Sequence, residues 1–140
     1  MVRDEAKARL AAALGRQSDV RLAYLFGSVA RGEERSRSDV DVAVLVEPAA
    51  LGRPWPGIEA TLLGDLCDAL ATERVDLVLL NVAPPVLARE VLRDGVVVLE
   101  RDADERIAWE LGALRRYADT RRLREIRTEG HRARQAALLR

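Results

Sequence analysis

Four short runs of strand-forming residues, VRLAYLFG at 20–27, DVDVAVLV at 39–46, RVDLVLL at 74–80 and VVVL at 96–99, alternate with stretches of helical periodicity. That alternation restricts the chain more than any other feature. Strands this apolar must pair their backbone groups in one sheet, and the intervening amphipathic helices must cover it. Ala6, Leu10, Ala13 and Leu14 recur at helical spacing within 3–15, and Gly15 is a plausible stop. Ser28 is placed to cap a short helix beginning SVARGEE. The loop EPAALGRPWPG breaks structure before a helix over 58–71, striped by Ile58, Leu62, Leu66 and Leu70. Pro84 and Pro85 open another helix, with Val86, Leu87, Val91 and Leu92 expected to face inward and Gly95 beyond its end. From about 102 to 134 the chain reads as helical, with Ile107, Leu111, Leu114 and Ala118 in one stripe. The expectation is an α/β or α+β sheet covered by helices.

A chain of 140 residues, 49% apolar and 33% charged, suits one domain with a real core. Its formal charge is zero, so nothing global argues for direct nucleic-acid binding or a membrane surface. The distribution is uneven, however: residues 101–140 carry eleven arginines against seven acids. That excess reads either as a solvated helix face or as a partner-binding surface. Cys67 is the single cysteine, set among Leu63, Leu66 and Leu70, which fits a core thiol in a reducing cytosol. No apolar stretch approaches the length of a membrane span, and no signal-peptide pattern opens the chain, so a cytoplasmic protein is expected.

The chemistry concentrates between residues 26 and 46. Asp39 and Asp41, at i and i+2 of a strand, share one side with Ala43 and Leu45, while Val40, Val42, Val44 and Val46 share the other. Two bare carboxylates so close repel each other, and a divalent cation removes the conflict. Asp76, flanked by apolar residues in the next strand, would be a third acid if the two strands are neighbours. Three such acids suit a two-metal phosphoryl-transfer site. Gly27-Ser28 supplies the complementary half, a glycine that lets backbone approach phosphate closely and a helix start that presents free N–H groups. Arg31, one turn on, could grip phosphate oxygens with two parallel hydrogen bonds. The bland readings are a turn role for Asp39 and an ion pair of Asp76 with Arg74. Neither accounts for Asp41 inside a valine-rich strand.

Gly27-Ser28, ten residues, then Asp39-Val40-Asp41, with Asp76 on a later strand, resembles the nucleotidyltransferases of the DNA polymerase β superfamily. The stretches GSVARGEERSRSDVDVAVLV and VDLVLLNVAPPVLAREVLRDGVVVLERD look like its minimal nucleotidyltransferases (MNT), over roughly residues 20–102. The resemblance implies an α+β fold: a small mixed β-sheet of about four strands flanked by helices, residues 1–100, with a C-terminal arginine-rich helical extension, 101–140. It implies AMP transfer from ATP to a hydroxyl with two Mg2+ ions. Asp39 and Asp41 would be metal ligands, Asp76 a metal ligand and the base, and Gly27, Ser28 and Arg31 nucleotide-binding. It further implies an antitoxin that modifies a tyrosine of a partner HEPN-domain ribonuclease toxin. Two alternatives stay open, a non-catalytic antitoxin that neutralises by binding and a stand-alone small-molecule nucleotidyltransferase.

Among the aromatic residues, Trp55 between two prolines reads as a loop anchor rather than a residue leaning over the nucleotide or contacting a partner, and Tyr24 as core. Trp109 lies off the Ile107–Leu111–Leu114 stripe, which hints at a partner-facing position or a wider buried face. Glu33 and Glu34 read as solvated loop acids. His131 is the only histidine, in a C-terminal segment, so a histidine-based mechanism has no support.

Overall fold

The computed structural model describes residues 1–35 and 37–139; Ser36, and Arg140 of the C-terminal arginine excess, lie outside the described residues. The elements run α1 (Arg3–Gly15), β1 (Val20–Phe26), α2 (Gly27–Arg31), β2 (Val40–Val46), a 3-10 turn (Pro48–Gly52), α3 (Gly57–Leu70), β3 (Val75–Leu79), α4 (Pro85–Asp94), β4 (Val96–Glu100), α5 (Ala103–Asp119) and α6 (Arg121–Leu138). The four strands form one mixed sheet in the order β3-β2-β1-β4. β1 is antiparallel to β2 and to β4, and β3 is parallel to β2 through the α3 crossover.

Period-two alternation sorts the strand side chains onto two packed faces. Val40, Val42, Val44 and Val46 of β2, with Ala23 and Leu25 of β1, join Leu10 and Leu14 of α1 and Leu62 and Leu66 of α3. On the other face Leu22, Tyr24, Phe26 and Ala43 pack with Val91 of α4 and Trp109 of α5. Asp41 of β2, in step with Ala43, belongs to this second face. Both α1 and α3 bury the residues that their spacing indicates: Ala6, Leu10, Ala13 and Leu14 in one, Ile58, Leu62, Leu66 and Leu70 in the other.

Helix ends are closed by side chains, near and distant in sequence. Asp102 caps α5 by accepting a hydrogen bond from the Asp104 N–H at 2.8 Å. Arg101 closes the C-terminal end of α1, donating to the carbonyls of Gly15 (3.1 Å) and Gln17 (3.1 Å), where a cation complements the helix dipole.

The structure departs from expectation in several places, among them Cys67, which is only partly buried. Phe26, not Ser28, is the N-cap of α2: Gly27, at φ +73°, turns the backbone into the helix one residue earlier. Val86 is exposed, because the inward arc of α4 centres on Leu87, Ala88 and Val91. Trp55 is 93% exposed, and its loop is anchored by Ala50 and Ile58 instead. The stripe of α5 is reversed. Trp109 and Ala113 face inward, Trp109 against Tyr24 with ring centroids 5.9 Å apart, while Ile107, Leu111 and Leu114 are exposed. A tryptophan buries more apolar area than an aliphatic residue, and the Tyr24 hydroxyl draws the same face inward by donating to Glu110 at 2.6 Å.

Candidate active site

β1 ends at Phe26 where β2 begins, because the two strands are antiparallel; β3 begins there too, because it is parallel to β2. The register sets Asp41 opposite Phe26 on one side and opposite Asp76 on the other. In a parallel pair, register partners point to the same face, so the two carboxylates stand side by side.

Gly27 follows directly, and only glycine suits this position. Its φ of +73° lies in the left-handed region, and a Cβ there would collide with the Asp41 carboxylate, whose Cγ would be 2.9 Å away. The glycine of the Gly-Ser pair therefore lets the Asp41 carboxylate lie directly on the backbone. Ser28 is the second residue of α2, half-buried, and its carbonyl accepts the Glu33 N–H at 2.9 Å.

The Asp41 carboxyl is pushed up from its ordinary range to about 6. Burial is the largest cause, the charges of Asp76 and then Asp39 add to it, and Arg31 opposes it. Asp39, one residue ahead of β2, and Asp76 are both exposed. The strand thus brings Asp41 and Asp76 together and leaves Asp39 within electrostatic reach. Among the described residues, no three acids, histidines or cysteines form a ready metal cage. Arg74 does not take up Asp76 as an ion pair; its guanidinium donates instead to the Arg37 carbonyl at 3.0 Å.

An open cleft of about 480 Å³, of nucleotide size, joins these parts, with Phe26, Gly27, Arg31, Asp41, Asp76 and Asp94 among its walls. Arg31 is held at its edge by two acids, with Nε on Glu33 and Nη1 on Asp94, each at 3.0 Å. Asp94, the last residue of α4, also accepts from Arg93 at 3.2 Å. Its carboxyl is held below the ordinary carboxylate range by Arg93, then Arg31, against some desolvation. Sequence reasoning missed Asp94, Arg93, Phe26 and Leu87 here. The Arg93-Asp94-Gly95 stretch was the available signal, but it reads as a helix end when only the glycine is weighed.

The donor set fits a hard divalent cation in kind: carboxylate oxygens only, adjacent, and mutually repelling enough to raise one pKa. With a glycine-walled approach beside them, these groups suit binding and displacement at phosphorus.

A family model described as the polymerase beta nucleotidyltransferase matches residues 9–104. No curated protein matches the chain. Among solved structures, a chain of a toxin–antitoxin crystal structure with AMP-PNP superposes with a TM-score of 0.70 at 25% identity, over 89% of this chain and 96% of its own. A chain from a complex of a tri-AMPylated Shewanella oneidensis HEPN toxin with an MNT antitoxin gives 0.65 at 22%, over 92% and 98%, and bears on the fold alone. A structure described as a candidate minimal nucleotidyltransferase is 37% identical over 69% of this chain and 95% of its own, with a TM-score of 0.54.

Proposed function

This chain belongs to the polymerase β nucleotidyltransferase family, and we propose that it transfers AMP from ATP to a tyrosine hydroxyl of a HEPN-domain toxin, as its antitoxin in the cytoplasm. Residues 1–100 would be the catalytic core and 101–140 an extension of the same domain. The observation that carries this reading is the side-by-side register of Asp41 and Asp76, with Gly27 against the Asp41 carboxylate. The toxin–antitoxin complex with AMP-PNP among the similar structures supports the choice of nucleotide and of a toxin as the partner.

Asp39, Asp41 and Asp76 would hold two Mg2+ ions, which neutralise triphosphate charge when bound. The remaining work falls to the chain. Gly27 leaves room for the phosphates beside Asp41, and the backbone at Ser28 and the Arg31 guanidinium bind their oxygens. Asp76, exposed beside Asp41, takes the proton from the acceptor hydroxyl. The hydroxyl oxygen bonds to the α-phosphorus, the bond from that phosphorus to the bridging oxygen breaks, and pyrophosphate leaves.

The test uses the full chain, a HEPN-domain toxin as the acceptor protein, and ATP labelled at the α-phosphate. Asp39→Asn with Asp41→Asn should lower transfer by about a thousandfold or more, and chelation of divalent cations should abolish it in the parent. Undiminished transfer by the double variant would refute the assignment. Label on an added aminoglycoside in place of the protein would point to a small-molecule acceptor.

A further inference from the structure

We propose that α6 is a docking arm for the acceptor protein, which seats an apolar groove rimmed with Asp and Glu on the stripe Leu123, Ile126, Gly130, Ala133 and Ala137. This inference rests on the proposed function for the existence of that partner, and deepens it by naming the surface.

The physical ground is a helix without a partner of its own. α6 runs 18 residues, about 27 Å, and buries none of them. Among the described residues its side-chain bonds to the body lie at its start, where Arg124 lies over the Tyr117 ring at 3.9 Å and donates to its hydroxyl at 2.9 Å. An isolated helix of this length is marginal in water, and Gly130 in its interior costs about 1 kcal/mol more than alanine would. Such helices draw their stability from packing an apolar face.

That face is written into the sequence. The five stripe residues follow steps of three, four, three and four, the seam spacing of paired helices. Leu123 is 61% exposed and Ile126 52%, large side chains with nothing over them among the described residues. Smaller residues continue the seam toward the far end, so a partner can approach closely along its whole length.

Charge selects the occupant. The helix carries six arginines, at 121, 122, 124, 127, 132 and 134, against Glu125 and Glu129. A second copy of α6 laid antiparallel along the seam would set Arg127 against Arg134, and a parallel copy would set Arg122 against Arg127, relieved only by Glu129 against Arg134. A partner with acidic rims meets the same seam with attraction, which also speeds encounter.

The test measures the Kd of the full chain for the HEPN protein, and KM and kcat for AMP transfer to it. Leu123→Asp with Ile126→Asp should weaken binding about 100-fold and raise KM in parallel, while kcat stays within about twofold. Arg127→Glu with Arg134→Glu, on exposed residues outside the seam, should weaken binding by tenfold or more and flatten its salt dependence. Binding unchanged in both variants overturns the inference, even if Asp39→Asn with Asp41→Asn still abolishes transfer and so upholds the proposed function. A dimer of the chain alone in sedimentation equilibrium, broken by the seam variant, overturns it in favour of self-pairing. Tighter binding to single-stranded RNA than to the HEPN protein, lost in the arginine variant, overturns it in favour of nucleic acid.

Discussion

Asp41 stands half-buried against Gly27, with Asp76 beside it and Asp39 close by, and its carboxyl is raised to about 6. A raised carboxyl pKa means that the fold resists the charged form, so without a cation Asp41 costs stability above that pH. The cost shrinks as pH falls through 6 and is gone below the ordinary carboxylate range. In chelator, Asp41→Asn should therefore be more stable than the parent at pH 8, by on the order of 1 kcal/mol after discounting for solvent screening. The difference should close by about pH 4. Urea unfolding across that range measures it, and a variant less stable than the parent at pH 8 would mean that the fold does not resist the charge on Asp41. Arg31 makes a different point at this scale. Its place in the Gly-Ser stretch suggests a phosphate ligand, and the fold gives it two acidic partners, Glu33 and Asp94, that fix its guanidinium at the cleft edge.

At the scale of elements, α3 and α5 separate what periodicity specifies from what it leaves open. In α3 the stripe Ile58, Leu62, Leu66 and Leu70 is the only strongly apolar face, and it is the buried one. In α5 two faces compete, and the aromatic side wins because Tyr24 on β1 offers Trp109 a ring to pack on and Glu110 a hydroxyl to hold. Leu62→Ala should cost about 3 kcal/mol through its cavity. Leu111→Ala, on a residue 57% exposed, should stay within about 0.5 kcal/mol. Denaturant midpoints decide both, and a large loss at Leu111 would mean that α5 packs by its aliphatic stripe after all.

For the whole molecule, the mixed sheet binds α1 and α3 on one face and α4 and α5 on the other, while α6 stands outside both cores. Ending the chain after Thr120 should then shift Tm by no more than about 5 °C, the loss of the Arg124–Tyr117 stack being worth about 1 kcal/mol. A collapse of the thermal transition would show that α6 supports the fold. The same architecture explains why the acids gather at one end. Antiparallel β1 delivers Gly27 to the start of β2, and parallel β3 delivers Asp76 to that same point.

Local order alone determined the four strands, the packed stripes of α1 and α3, and the pairing of a glycine-serine turn with two acids one residue apart, since each follows from backbone periodicity and nearest-neighbour chemistry. Tertiary structure decided which face of α5 is buried, that Phe26 caps α2, that Trp55 faces solvent, and that Arg31 meets Asp94 from 63 positions away. Those outcomes depend on what lies across a sheet or at the end of a distant helix. Contact with distant segments is a property of packed surfaces, and no spacing along the chain encodes it.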